Sequence, residues 1–553
     1  MATLIVSPGV SAHRAFTKIS RQREERRFAP FLITLLTFFA LAVHGYHPYA
    51  EDGGPYITGI KHILNPSLYP HEIEFVAGHP RFSFFATAIA ALVKASHLSL
   101  EQVLLTVQFF SYWTMLFAAW HLAAACYQSR RARTGAVSLL AVWLTLPVAG
   151  TSILLMDPYV TARSISTPCA LLAIAGIAAF FRQHQRSGSY SWPSLALCCT
   201  ALLIATAAHP LMAAYAFGTV LILACQLSES RRVRRWGTCG LILLALVIAA
   251  LIQRSGPPEP QTYLQAEMSR SYWFLENWAW YERIGLAAPL VILGIAAFKR
   301  RGLSDGTYGS REKRALARMS ILCVLTAVAV LLFFGRSDAA SHRVAWLQPL
   351  RILQIAYVLM TLGLGAELGQ RFLKRSWLRW STVFAVLAGI MITAERQTFG
   401  DTAHFELPGC APRNSWEQAF LWIKENTPQE ALFALDADYI VKSTEDAQNF
   451  RALSERSSLP DYTKDGGDAA NNLRLAYAWV SAQAPQTRLS MKSDAERIAE
   501  LRPMGVSWVV LESSARTSFR CDYANAAVKV CRLPPRSTVI EAEAKMASVL
   551  PRP

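Results

Sequence analysis

Phe28 to Gly54 reads FAPFLITLLTFFALAVHGYHPYAEDGG. Its apolar part, 28–46, is close to the roughly 20 residues that cross the hydrocarbon core of a bilayer. Two adjacent acids, Glu51 and Asp52, stand just beyond it and are followed at once by Gly53-Gly54. Working outward, further apolar blocks recur near 102–127, 135–155, 168–181, 192–208, 211–227, 236–253, 285–298, 317–335, 351–370 and 377–394, of which 168–181 and 285–298 are short. The chain is 53% hydrophobic and 17% charged, too few charges for an ordinary soluble protein. The recurrence predicts a mainly α fold: a polytopic helical membrane domain over 28–394 with about eleven spans.

The net charge of +17 raises the question of a polyanionic partner. Its distribution gives the answer. Basic residues cluster in alternate short loops: Arg14 to Arg27, Arg130-Arg131-Arg133, Arg231 to Arg235, Lys299 to Arg318 and Arg371 to Arg379. That alternation is the positive-inside pattern, so the charge reports membrane topology and no nucleic acid is expected as a partner. Residues 1–27 then read as a basic cytoplasmic arm, and the outer loops as 47–101, 156–167, 254–284 and 336–350. The apolar run Phe82 to Ser96 reads as a helix lying at the outer interface, because counting it as a span would turn every later basic loop outward. No small-residue cleavage site follows the first span, which reads as a retained anchor.

After about residue 395 the composition becomes that of a globular domain, and 395–553 is expected to be a small exported α/β tail. Asn414-Ser415-Trp416-Glu417 reads as a capped helix start. Ala431 to Leu435 and Val506 to Leu511 read as short buried strands, with helices near 469–483 and 493–501. Seven of the ten cysteines lie in or beside spans, where they pack as small hydrophobes. Cys521 and Cys531 flank a short hairpin-like segment, and a disulfide between them is expected in an oxidising compartment. That leaves Cys410 over. No spacing of histidines and cysteines suggests a structural metal.

Most acids of the membrane half fall on the expected outer side: Glu51, Asp52, Glu72, Glu74, Asp157, Glu259, Glu267, Glu276, Glu282 and Asp338. For most of them a polar loop is explanation enough. Glu51-Asp52 differs in its glycines, which either allow close backbone approach to a ligand or make an Asp-Gly-Gly turn. Cations on the same side are His79 and Arg81 in the first loop, Arg163 shortly after Asp157, and Arg336, His342 and Arg343 in the last outer loop. The last set, with Asp338, reads either as a charge cluster beside the spans or as a self-paired clasp. His209-Pro210 reads as a tight turn between two spans, with an imidazole facing the cavity as the alternative. The aromatics Tyr263, Tyr272, Trp273, Phe274, Trp278, Trp280 and Tyr281 read first as interfacial anchors and second as a sugar-stacking platform.

The acid pair after the first span, with His79-Pro80-Arg81-Phe82 before an apolar segment, resembles the GT-C superfamily of polytopic membrane glycosyltransferases. Protein O-mannosyltransferases, aminoarabinose transferases and oligosaccharyltransferases are among its members. The family motif often carries two prolines where this chain has Pro80 alone. The resemblance implies a sugar donor linked to polyprenyl phosphate, an envelope glycan, lipid or protein as acceptor, and membrane lipids around the spans. It implies Asp52 as the general base with Glu51 assisting, and His79, Arg81, Asp157, Arg163, Arg336, His342 and Arg343 as candidates around the departing phosphate. No cofactor is expected. A divalent metal stays open, since members of the superfamily differ on it. The implied setting is a bacterial inner membrane with the tail in the periplasm. The rival readings are a transporter or flippase and a non-catalytic assembly protein of the same architecture. No Walker-type loop is present, which speaks against a nucleotide-driven pump.

Overall fold

The computed structural model describes residues 27–298, 309–441 and 449–534, without the side chains of His79, Pro80, Ala296 and Phe298. The basic arm lies outside the described residues apart from Arg27, as does much of the basic stretch after residue 298. Among the described residues, eight helices are long and apolar enough to cross a membrane: Arg27–His44, Leu100–Cys126, Ala162–Ser187, Pro210–Leu227, Val233–Arg254, Ser310–Phe334, Arg343–Leu373 and Trp377–Thr398. The other three expected spans take different forms. Trp192–Ala208 is a helix of 17 residues, and Trp280–Phe298 is a helix of 19 residues with Pro289 inside it.

The block expected as a span at 135–155 departs furthest from expectation. It is helical only over Arg130–Val142. Beyond Trp143 the chain folds back on itself, with Val148 N donating to Ile153 O at 2.9 Å and Leu155 N to Leu146 O at 3.1 Å. Pro147 has no N–H for a helix and disfavours helical geometry in the residue before it. The irregular backbone is buried, so its carbonyls need partners. Gln354 Nε2 donates to Leu154 O and Leu155 O, both at 3.0 Å, while Gln108 and Tyr112 donate to Asp157 O at 2.9 and 3.1 Å. An apolar run therefore becomes a buried fold-back that delivers Asp157 to the helix ends.

Ala162–Ser187 packs against the helices at 100–126, 192–208 and 210–227 and is largely enclosed by them. Arg130–Val142 and Leu353–Glu367 approach backbone to backbone. A Cβ on Gly135 would lie 2.3 Å from Gly365 O, so only small residues permit this crossing.

Contacts separate two ends of the bundle. At one end Arg130 lies over the Phe28 ring, Arg311 Nη2 donates to Leu227 O, and Lys313 pairs with Glu367. The arginine-rich connections gather there. At the other end His47 N donates to Pro158 O, Phe84 N to Ala207 O and Gln253 Nε2 to Ser341 O. Phe85–Ser96 lies at this second end against Gly53–Leu64. Its 12 residues reach about 18 Å, short of a span.

The C-terminal domain covers the second end. Its five-stranded sheet has the order β2-β1-β3-β5-β4, with β1 (Leu432–Ala434), β2 (Ser457–Ser458), β3 (Trp508–Glu512), β4 (Cys521–Ala524) and β5 (Val528–Arg532). β1 pairs in parallel with β2 and β3, and β5 runs antiparallel to β3 and β4. Asn414 caps the helix Ser415–Asn426 by accepting from Trp416 N at 2.8 Å. Cys521 and Cys531 form a disulfide across β4 and β5. The connection from the last span returns to the first loop, where Tyr46 N donates to His404 O and Glu406 N to Tyr46 O.

Candidate active site

The loop carrying the acid pair is fixed by its own turns. Ala50 N donates to His47 O and Gly53 N to Ala50 O, and Glu51 sits at φ 49°, a left-handed conformation uncommon outside glycine. The strained residue is held from the tail, since Asn449 Nδ2 donates to Tyr49 O at 2.7 Å and to Glu51 O at 3.0 Å. Gly54 makes room for this clamp: a Cβ there would fall 1.6 Å from Asn449 Cγ. The glycine pair opens the helix Gly53–Leu64, and Gly54 admits a tail side chain.

Asp52 lies between two cations. Arg163 Nη2 donates to Asp52 Oδ2 at 2.9 Å and to Asp157 Oδ2 at 3.0 Å, and Arg163 Nε donates to Asp157 Oδ2 at 3.2 Å. Lys464 Nζ donates to Asp52 Oδ1 at 3.1 Å and also to Glu51 Oε2. The Asp52 side chain is 34% exposed, and it faces an open cleft lined by both parts of the chain. Burial pushes its carboxyl up, but the Lys464 and Arg163 charges together outweigh burial and hold it well below the usual carboxylate range. Burial likewise opposes the charge on Lys464, and Glu51 and Asp52 overcome it and hold the ammonium above its usual range.

The cavity has a volume of about 740 Å³ and is lined from both parts of the chain. Its polar wall holds Glu51, Asp52, Arg163, Arg270, Arg351 and Lys464. Tyr56, Tyr272, Trp273 and Trp346 supply aromatic surface, and His209 lines it from the turn between two helices. Arg270 gives its guanidinium to backbone carbonyls, Thr463 O at 2.5 Å and Tyr462 O at 3.0 Å. Arg351 Nε is buried with no hydrogen-bond partner among the described residues. Unlike Arg163, then, these two guanidiniums bring charge to the wall with no carboxylate hydrogen-bonded to them among the described residues.

The remaining sequence candidates divide. Asp157 backs Arg163 from behind the cavity wall. Arg81 is exposed at the end of Ile73–Arg81 and does not line the cavity, and the His79 side chain lies outside what the structure describes. Arg336 forms an exposed bidentate pair with Asp338, at 2.8 and 2.7 Å, as in the clasp reading. His342 and Arg343 face Glu267 and Glu259, away from Asp52. The aromatic segment splits too: Tyr272 and Trp273 line the cavity, while Trp280 and Tyr281 are exposed as interfacial anchors would be.

Sequence reasoning missed Lys464, Arg270 and Arg351. Lys464 stands in a polar segment of the tail, far in sequence from the acid pair, and Arg351 opens a block counted as a span. A lone cation at the border of an apolar run was the available signal for Arg351.

Asp52 and Asp157 do not fit a divalent metal in this arrangement. Arg163 already bridges the two carboxylates, and an ion shared by them would have to displace it, while Lys464 holds the other oxygen of Asp52 against Glu51. Glu259, Glu267 and His342 are the group of three among the described residues whose ligand atoms lie within 4.8 Å of one another.

No family model matches the chain, and no curated protein matches it. Solved structures give a distant likeness. The oligosaccharyltransferase of Archaeoglobus fulgidus, in complex with Zn and sulfate, is 13% identical with a TM-score of 0.42, over 87% of this chain and 68% of that one. The archaeal oligosaccharyltransferase AglB from Archaeoglobus fulgidus, in complex with an inhibitory peptide and a dolichol-phosphate, is 11% identical with a TM-score of 0.41, over 88% and 70%. At these values no residue role passes from either structure to this chain.

Proposed function

We propose that the protein is a multi-pass membrane glycosyltransferase that moves a sugar from a polyprenyl-phosphate-linked donor to an envelope acceptor. The observation that carries this reading is the cavity at the tail-bearing end of the bundle, where one acid pair faces Arg270 and Arg351. A phosphate is the anion such a wall suits, and its lipid would run down between the helices. Guanidiniums recognise phosphate oxygens by paired, charge-assisted hydrogen bonds. Aromatic side chains in the cavity wall give a sugar ring a surface to stack on.

In this reading the acceptor oxygen or nitrogen attacks the anomeric carbon and the bond from that carbon to the phosphate oxygen breaks. The acceptor proton passes to Asp52, and the phosphate leaves on its lipid with the bonding electrons. A carboxylate held low by cations is a weak base, which the donor itself corrects. Its phosphate competes for Lys464 and Arg163, and each interaction drawn away from Asp52 raises the proton affinity of that carboxylate. Glu51 retains Lys464 on the opposite side and keeps the lysine in place. The basic end of the bundle faces the cytoplasm of a bacterial inner membrane, which puts the tail outside.

The test is binding of a short polyprenyl phosphate to the purified full chain in detergent. Arg351→Gln should weaken it about tenfold, the loss of one charge-assisted contact. Unchanged binding removes Arg351 from the phosphate site. Gradient-driven solute uptake into vesicles, with no glycosidic bond formed, would replace the enzyme reading by a transporter.

A further inference from the structure

Away from Asp52, two connections at the tail-bearing end meet through three side chains. Glu259 and Glu267 belong to the 254–284 loop, and His342 to the 336–350 loop. Glu267 and His342 are almost fully buried, at 1% and 2% exposure. His342 Nδ1 lies 3.2 Å from Glu267 Oε2, and the His342 backbone N donates to Glu259 Oε2 at 2.7 Å.

The other ring nitrogen fixes the chemistry. His342 Nε2 lies 3.1 Å from Ser337 O, a carbonyl that can only accept, so Nε2 carries the proton. In its neutral form this imidazole turns the lone pair of Nδ1 toward the Glu267 carboxylate. Three acceptor atoms converge in a buried space, and Arg343 Nε, 3.6 Å away, meets only the far oxygen of Glu259 among them. Such a set needs positive charge at its centre. A histidine whose second N–H is held by a backbone carbonyl is the arrangement that metal-ligating imidazoles use. The distance agrees: ligands about 2.0 Å from a tetrahedral ion are about 3.3 Å apart, and the Nδ1 to Oε2 separation is 3.2 Å.

We propose that Glu259, Glu267 and His342 bind one divalent transition ion of the Zn²⁺ class, with a water as fourth ligand. One nitrogen and two carboxylates suit such an ion better than Ca²⁺ or Mg²⁺, which prefer all-oxygen sites. The ion ties the 254–284 loop to the 336–350 loop. Arg270 and Trp273 follow Glu267 closely, and Trp346 and Arg351 follow His342, so the tie sets the wall of the cavity from outside it. The site stands independently of the sugar-transfer reading.

The test uses the full chain in detergent, stripped with a chelator and titrated with Co²⁺, whose visible absorption reports tetrahedral coordination. One equivalent should bind to the wild type. Glu267→Gln and His342→Ala should each weaken binding at least tenfold, and Glu259→Gln, at the more open side of the cluster, should do so with the chain still monodisperse. Asp52→Asn should bind Co²⁺ as the wild type does. Absence of tetrahedral Co²⁺ in the wild type overturns the proposal and leaves a protonated His342 as the central charge. Wild-type binding in all three cluster variants, or its loss in Asp52→Asn, overturns it equally.

Discussion

Lys464 of the C-terminal domain reaches Asp52 of the first loop, with Nζ 3.1 Å from Oδ1, across 412 positions of sequence. The contact joins tail and membrane domain at the point where the acid pair faces the cavity. Docking the tail therefore supplies one of the two cations, beside Arg163, that set the charge state of Asp52.

Lys464→Met removes one of the two cations that hold the Asp52 carboxyl low, so its proton affinity rises. In the wild type the carboxyl is depressed, and kcat/KM should show no acid limb from Asp52 above about pH 4, the ordinary aspartate value. In the variant a limb should enter from the acid side and move toward neutrality. The pH profile of kcat/KM measures this, and identical profiles would detach Lys464 from Asp52.

Gly54→Ala should disturb the same junction without touching a charge. Its methyl would occupy the place of the Asn449 amide, which must swing away and release Tyr49 O and Glu51 O. Displacing a reacting group by about 1 Å costs up to about 100-fold in rate. A fall in kcat toward that size, with the chain still monodisperse in detergent, is expected, and a wild-type rate would show that the clamp is dispensable.

Asp461 supplies a pH dependence of stability. Burial, and then the Asp465 charge beside it, raise its carboxyl to about 7. The folded chain thus keeps a proton that the unfolded chain releases near pH 4, so this group's contribution falls as pH rises from about 4 to about 7. Asn at this position keeps an oxygen for the Lys464 N–H, which now donates to Asp461 Oδ1 at 2.6 Å. Asp461→Asn should raise the melting temperature by a few degrees at pH 8 and change it little at pH 4. Equal shifts at both values would show that Asp461 is already ionised.

The disulfide gives a stability test that also reports compartment. Cys521→Ser should lower the stability of the C-terminal domain by about 2 kcal/mol, a typical value for a short closed loop. Chemical unfolding followed by the near-ultraviolet signal reads this out. The bond should be oxidised in membranes as isolated. A free Cys521 thiol there, or an unchanged midpoint, would argue against an exported tail.

Much of the architecture is legible in the sequence because a bilayer demands long apolar helices, and ten of the eleven apolar blocks become helices that run the length of the block or nearly so. The block at 135–155 misleads for a physical reason: apolar content measures burial, and the fold-back after Val142 is as buried as a span while Pro147 breaks its helix. In the candidate site, the nearness of Asp52 and Arg163 is legible from both standing at helix ends on one side of the membrane. Lys464 and Arg351 are not, because docking between distant segments decides their role. The arginine–histidine set 336–343 was drawn into one site by charge alone. The carboxylates of Glu259 and Glu267, which sequence cannot assign to a partner, take His342 and Arg343 away from Asp52.

Asp52→Asn tests the central claim most directly, with sugar transfer from a polyprenyl-phosphate-linked donor measured in parallel with donor binding. Loss of the general base should lower kcat by about 10²–10⁴-fold. Donor binding should be kept or improved, because the carboxylate that competes for Arg163 and Lys464 is gone. Transfer at the wild-type rate by a folded Asp52→Asn protein would contradict the account.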